Sequence, residues 1–311
     1  VPSRLAGRDG VYCRTKQMNA RYRHWWLLVL LSVLTGCWQG QDRGYEMPRD
    51  VNAVYYWRTE LKLDSTERAF LGQHRIKKVY CRYFDVVMRD SMPMPNATIS
   101  FADRLPDSIE LVPTVYITEE CMHQHHDSLA QKLVRRIRQI NETNDLPPFR
   151  ELQIDCDYTL KSRQTYYDFL SEVEAQLDDA DCVLSTTIRL HQLRMKTPPV
   201  DYGVLMIYNT GDPRRFQERN PILDMRDVEP YLPHLARYPL PLAAAYPVYR
   251  WQRNIYGVRI EHTVADSVIL EVKQAVERER RELRRTIVTY HLDQENINRY
   301  NTETYEKIYS H

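Results

Sequence analysis

The chain alternates between short apolar runs rich in Val, Ile and Tyr and longer segments whose apolar residues recur at helical spacing. The short runs fall at 53–57, 78–84, 111–117, 152–157, 182–188, 204–209, 240–246 and 286–291. Between them, helices are predicted over about 65–74, 163–177, 264–284 and 300–309. Another is predicted where Leu129, Leu133, Val134, Ile137 and Ile140 form one stripe and Arg135, Arg136 and Arg138 lie elsewhere. Eight strands, each followed by a helix or a long loop, predict an α/β fold: a single (β/α)8 TIM barrel, irregular where segments are short. The weakest places are the seventh strand, with its internal proline, and the short segment after the fifth. A doubly wound open sheet is the alternative, and the lack of a glycine-rich turn after the first strand argues against it. The basic run 277–285 is expected to be the solvated end of the long helix.

Upstream the pattern changes. Met18 opens a basic stretch with Arg21, Arg23 and His24, followed by the apolar run 25–34 and then Leu34-Thr35-Gly36-Cys37. The run suits a signal-peptide core and is short for a bilayer span. The box resembles a bacterial lipobox, which implies a diacylglyceryl group on the Cys37 sulfur and so a membrane partner. The expected organisation is an upstream extension outside the native protein at 1–17, a lipoprotein signal peptide at 18–36, a lipidated tether at 37–50 and the barrel at 51–311. The expected location is the cell envelope. Trp38 and Gln39 follow the cysteine without a retention aspartate, which favours the outer membrane.

Composition narrows the partners. Lys and Arg number 43 and Asp and Glu 42, so no global field favours nucleic acid. Tyrosine is abundant at 22 and glycine scarce at 9, which argues against repeats and loop-rich folds. Cys81, Cys121, Cys156 and Cys182 lack metal-site spacing and read as small buried thiols. No cofactor and no metal are expected. The cluster His123, His125 and His126 with Glu119, Glu120 and Cys121 lacks the i, i+4 spacing of a zinc helix, and reads as a solvated loop.

In a barrel, active groups gather where strands end. Asp155 and Asp157 close the fourth strand, and alternation puts both on one face with Cys156 on the other. Two neighbouring acids raise each other's proton affinity, which suits acid–base work. A second carboxyl is sought in Glu119 or Glu120, with Asp85 and Asp293 as further candidates. Trp57, Tyr208, Asn209, Tyr246 and Trp251 suit stacking on, and hydrogen bonding to, a sugar, and Arg189 suits an anionic group. Each of these groups also has a bland reading as a cap, a loop residue or barrel filling.

The stretches Ile154-Asp155-Cys156-Asp157, Tyr167-Asp168-Phe169-Leu170 and Leu184-Ser185-Thr186-Thr187 resemble the core of a secreted bacterial family, domain-of-unknown-function family 3142. The likeness covers about 50–250 and implies a layout similar to glycoside hydrolase barrels. A more distant likeness is to chitinase-like glycoside hydrolases of family eighteen, whose fourth strand carries Asp-x-x-Asp-x-Asp-x-Glu. Asp155 and Asp157 match its middle and last aspartates, while Leu152 and Thr159 stand in place of the first aspartate and the glutamate. Two functions are therefore expected: a lipid-anchored barrel that hydrolyses or binds a glycan, or a non-catalytic carbohydrate-binding or scaffold lipoprotein. A metal-dependent hydrolase built on the histidine loop is a third.

Overall fold

The computed structural model describes residues 44–177, 181–211, 219–255 and 258–311. The expected signal peptide, with Cys37, lies outside them. The expected barrel is present. Its eight parallel strands, numbered here in chain order, are β1 Val51–Tyr56, β2 Ile76–Arg89, β3 Glu110–Ile117, β4 Glu151–Asp155, β5 Val183–Arg189, β6 Tyr202–Met206, β7 Leu242–Pro247 and β8 Thr286–Tyr290. Each pairs with its neighbour in order, and β1 pairs with both β2 and β8, which closes the cylinder. Closure gives each of these eight strands a partner on both sides.

The predicted helices are present as α1 Ser65–Gln73, α2 Leu129–Thr143, α3 Arg163–Glu174, α4 Asp266–Glu279 and α5 Thr302–Ile308. Asp64 starts α1 with a capping box, its carboxylate accepting from Glu67 N while the Glu67 side chain reaches back to Asp64 N. The stripe on α2 buries Leu129, Leu133, Val134 and Ile137, as its spacing predicts.

Several details depart from expectation. β2 runs on to Arg89 and turns back through an antiparallel strand, Met92–Asn96. After β5 the chain makes only a short 3-10 turn, Leu190–Arg194, in place of a helix. A two-stranded hairpin, Trp251–Ile255 with Val258–His262, projects after β7. The basic run at the end of α4 is solvated only in part: Arg278, Glu279, Arg281 and Arg284 are exposed, as expected, but the rest is docked. Glu277 and Leu283 are buried, Lys273 and Arg284 both contact Glu277, and Arg280 donates to Tyr238 O and Leu240 O. Arg280 docks this helix end by reaching inward to two carbonyls, its long stem lying along the protein.

Alternation along the strands sets two faces. Ile154, Cys156, Ile188 and Tyr246 are fully buried; Cys81, Cys121 and Cys156 are buried thiols as expected, whereas Cys182 is only partly buried. Close packing is tight at Gly203, where an added Cβ would lie 2.6 Å from Ile188 Cγ1 and 3.0 Å from Leu242 Cδ2. The inner face is polar. At the N-terminal end Glu151 takes an ion pair from Lys78 (2.5 Å) and hydrogen bonds from Ser185 Oγ (2.6 Å) and Tyr202 OH (2.5 Å). Burial alone would depress the Lys78 ammonium, but Glu151 and Glu110 outweigh it and hold it above its ordinary value. One layer up, Tyr55 donates to Gln153 at 2.8 Å. The last residues of the expected tether lie against the N-terminal end of the barrel. Tyr45 stacks on Tyr202 at 5.2 Å, Met47 is buried and Thr286 donates to Pro48 O.

Candidate functional site

β4 and β5 place their inward residues side by side at the C-terminal mouth. Register pairs Tyr116 with Asp155, and Ile154 with Thr186. Asp155 is therefore flanked by Tyr116 on one side and by Thr187 and Arg189 on the other. Its Oδ1 accepts from Thr187 Oγ1 at 2.6 Å and from Arg189 Nη2 at 3.1 Å. The Asp155 side chain is 4% exposed and that of Arg189 is 19% exposed, so this is an ion pair set well inside the mouth. Burial disfavours the Arg189 charge, but Asp155, ahead of Tyr208 and Asp157, holds its guanidinium above the ordinary value. Burial, reinforced by Asp155, likewise pushes the Tyr116 hydroxyl up.

Asp157 behaves differently from its neighbour. It lies beyond the last residue of β4 and its side chain is 56% exposed, with Arg189 Nε at 4.0 Å and His191 Nε2 at 3.7 Å. The two aspartates thus share Arg189 but not an environment: one is locked, the other is in water. Sequence alternation alone treats them as an equivalent inward pair.

The other candidate acids are engaged elsewhere. Glu119 reaches from the turn after β3 and accepts from Ser162 Oγ at 2.8 Å. Burial would raise its carboxyl, but hydrogen bonds from Thr159 and Ser162, with His123 nearby, hold it below its usual range. An acid so held is ionised and is poorly placed to donate a proton near neutrality. Glu120 is exposed on the same 3-10 turn, Glu119–Met122. Asp85 is taken by Arg82 through two contacts, one of 2.7 Å to Oδ1 and one to Oδ2. Asp293 caps the turn Gln294–Ile297, accepting from Glu295 N. Among the described residues no group of three His, Cys, Asp or Glu could hold a metal ion. His125 lies between Asp127 and Glu172, in the expected polar loop.

The aromatic candidates divide. Trp57, at the end of β1, packs at 5.8 Å from Tyr290, and Arg82 lies over its ring. Tyr208 follows β6 and stacks on Tyr290 at 5.0 Å. Asn209, in a left-handed conformation (φ 54°), accepts from Tyr249 OH. Trp251 stands on the hairpin beside His262. Tyr246 is a correction. It is fully buried, and register pairs it with Thr289, whose hydroxyl bonds Tyr309 on the outer side, so it points outward and away from the mouth. The odd-even register of β7 against β6 and β8 decides this, and sequence fixes only relative parity along a strand.

Tyr55, Tyr249 and Tyr290 belong to the mouth and escaped the sequence reading. Tyr290 is the hub, touching Tyr55, Trp57, Tyr208 and Tyr249. Parity could have found Tyr55, two residues before Trp57, but nothing in the sequence singles out Tyr290. Two hollows flank the hub. One, about 490 Å³, is lined by Asn209, Tyr249, Trp251, Tyr290 and His291. The other, about 580 Å³, is lined by Trp57, Arg58, Lys62, Glu67 and Arg82. Burial lowers the proton affinity of the His291 imidazole on the wall of the first hollow, which Arg250 also lines.

No protein-family model matches the chain, and no curated protein sequence matches it. Solved structures do. The chain is similar to the spore cortex-lytic enzyme SleL of Bacillus cereus, at 14% identity and a TM-score of 0.55, over 85% of this chain and 75% of that one. It is similar to a chitinase from Bacteroides thetaiotaomicron at 10% identity and a TM-score of 0.55, over 84% and 96% of the two chains. It is also similar to a chitinase from Chromobacterium violaceum at 11% identity and a TM-score of 0.54, over 83% and 97%. At these identities the likeness is one of fold alone: the chain is a closed (β/α)8 barrel, and these enzymes are similar to it in fold.

Proposed function

We propose that this protein is a glycan-binding barrel of the bacterial envelope, tethered by a lipid on Cys37, that holds a sugar chain across its mouth without cleaving it. One observation carries the binding-only reading: the buried Asp155 carboxylate is occupied by Thr187 and Arg189. A glycosidase needs two carboxyls flanking the bond, one of them able to deliver a proton. Here one is locked into an ion pair, Glu119 is held ionised, and Asp85 is neutralised by Arg82. What remains accessible is the Asp157 carboxylate at the rim and a surface suited to recognition: the aromatic wall of Trp57, Tyr290 and Trp251, and the amide of Asn209. The chitinase-like neighbours support a glycan as ligand class, and the Leu34–Cys37 box supports the anchor. Among the described residues no helix is long and apolar enough to cross a membrane.

The test is a glycan panel on the purified chain in a non-sugar detergent. Binding with no release of reducing ends is expected, and Trp57→Ala should weaken it about tenfold, the scale of a lost stacking platform. Turnover that Asp155→Asn or Asp157→Asn abolishes would overturn the binding-only reading in favour of hydrolysis. For the anchor, Cys37→Ser is expected to stop acyl labelling and release the chain from membranes; unchanged labelling would refute it.

A further inference from the structure

The hollow beyond the end of β1 carries two charges that the protein leaves unmatched. Arg58, Lys62 and Arg82 line it together with Glu60, Asp64 and Glu67, three cations and three carboxylates around about 580 Å³. Four of the six are engaged. Arg58 meets the buried Glu67 at 2.6 Å, Arg82 grips Asp85, and the Asp64 carboxylate caps α1 by accepting from Glu67 N at 2.8 Å. Glu60 and Lys62 are left. Both are exposed, and among the described residues neither side chain takes an ion pair or a hydrogen bond. Although only two residues apart, they do not pair with each other.

These two charges are presented on a fixed backbone. Burial alternates over Glu60-Leu61-Lys62-Leu63, with both leucines buried, so Glu60 and Lys62 share the outward face of one strap. The strap is tied along its length. Glu60–Leu61 pairs in parallel with Ser100–Phe101, Ala102 N and Asp103 N both donate to Leu61 O, and Leu63 N donates to Asp103 Oδ2 at 2.8 Å. From beneath, the Tyr56 hydroxyl donates to Glu60 O at 2.6 Å and accepts from Lys62 N at 3.0 Å. Groups held on such a backbone lose less freedom on binding than groups on a loose loop.

The balance of charge names the ligand. A polyanion would meet three carboxylates here, and a metal cation would meet three basic side chains. The N-terminus of α1 is already filled by Asp64 and Glu67. A ligand bearing one ammonium and one carboxylate answers both unmatched groups at once. Length narrows the choice. Residues two apart on a strand lie about 6.6 Å from each other, and an extended dipeptide spans about 7 Å. A single amino acid carries both charges on one carbon and is too short. We propose that this hollow binds short zwitterionic peptides, dipeptides in the first place, with the ammonium on Glu60, the carboxylate on Lys62 and Trp57 as the apolar wall. The site goes beyond the glycan reading and does not depend on it, because it takes no sugar.

The test is titration calorimetry on the full chain in a non-ionic, non-sugar detergent, at low salt and about pH 6.5, below the ordinary range of a terminal amine. Dialanine should bind in the millimolar range. N-acetyl-dialanine, which lacks the ammonium, and dialanine amide, which lacks the carboxylate, should each bind about three- to fivefold more weakly, the scale of one exposed charge pair. Free alanine should be weaker by a similar factor. Glu60→Gln should erase the preference for the free amine and keep that for the free carboxylate, and Lys62→Met should do the reverse. Both residues are exposed, so neither variant disturbs the core. Capped peptides binding as well as the free one, alanine binding as well as dialanine, or a preference that survives its own variant would overturn the proposal. So would no heat of binding at about 20 mM dialanine, well above the millimolar range expected of exposed pairs. None of these outcomes bears on the glycan reading, which the sugar panel tests separately.

Discussion

Replacing Lys78 by methionine tests whether the polar floor of the barrel is held by charge pairing. Lys78 Nζ lies 2.5 Å from Glu151 Oε2 and 3.4 Å from Glu110 Oε2. The Glu151 side chain is 1% exposed and that of Glu110 is 35% exposed, so the pair with Glu151 is the desolvated one. Methionine fills the space but leaves a carboxylate inside the barrel without its cation. Removing one partner of a buried pair typically costs about 3–5 kcal/mol. Ser185 and Tyr202 still donate to Glu151, which places the expected loss near the lower end, about 3 kcal/mol. The double variant Lys78→Met/Glu151→Gln removes the orphan charge while keeping an acceptor for both hydroxyls. It should lose less than the single variant, about 1–2 kcal/mol, with one amide left underused. The assay is urea unfolding followed by far-UV circular dichroism, with the coupling taken from the full double-mutant cycle. A single-variant loss below about 1 kcal/mol, or a double variant as unstable as the single, would refute the argument.

Two more outcomes follow. His74 is buried against Phe70, Tyr305 and Tyr309, and burial lowers its pKa below that of an ordinary imidazole. Below the pH at which an ordinary imidazole titrates, the unfolded chain takes up a proton that the folded chain resists, so stability should fall as pH drops through about 6; His74→Phe should flatten the melting temperature between pH 7 and 5, and an unchanged slope would exclude His74 as its source. Gly203→Ala, with Ile188 Cγ1 only 2.6 Å from the new Cβ, should cost about 1–3 kcal/mol. Ile188→Ala should recover part of that loss, and additive losses in the pair would show that the contact is not the cause.

Much of this architecture is legible from the sequence because its signals are local. Apolar runs of strand length and the stripe on α2 reflect which side chains must leave water, and that requirement acts residue by residue. The register between strands is not local. Tyr246 and Tyr208 look alike as aromatic residues at strand ends, yet one faces outward and the other the mouth. Their parity is set by hydrogen bonds to neighbouring strands, and a slip of one residue exchanges the two faces.

The sequence by itself determined the strand and helix order, the α/β class, the near-neutral charge and the presence of acids and aromatic residues at one end of a barrel. Only the tertiary structure decided that Asp155 is locked by Thr187 and Arg189 while Asp157 stands in water, and that Tyr290 gathers four rings around it. The physical reason is that a carboxylate's chemistry depends on its dielectric surroundings and on partners far away in the chain. Thr187 and Arg189 are more than thirty residues from Asp155, and no pattern along the chain records that they meet across one pair of strands.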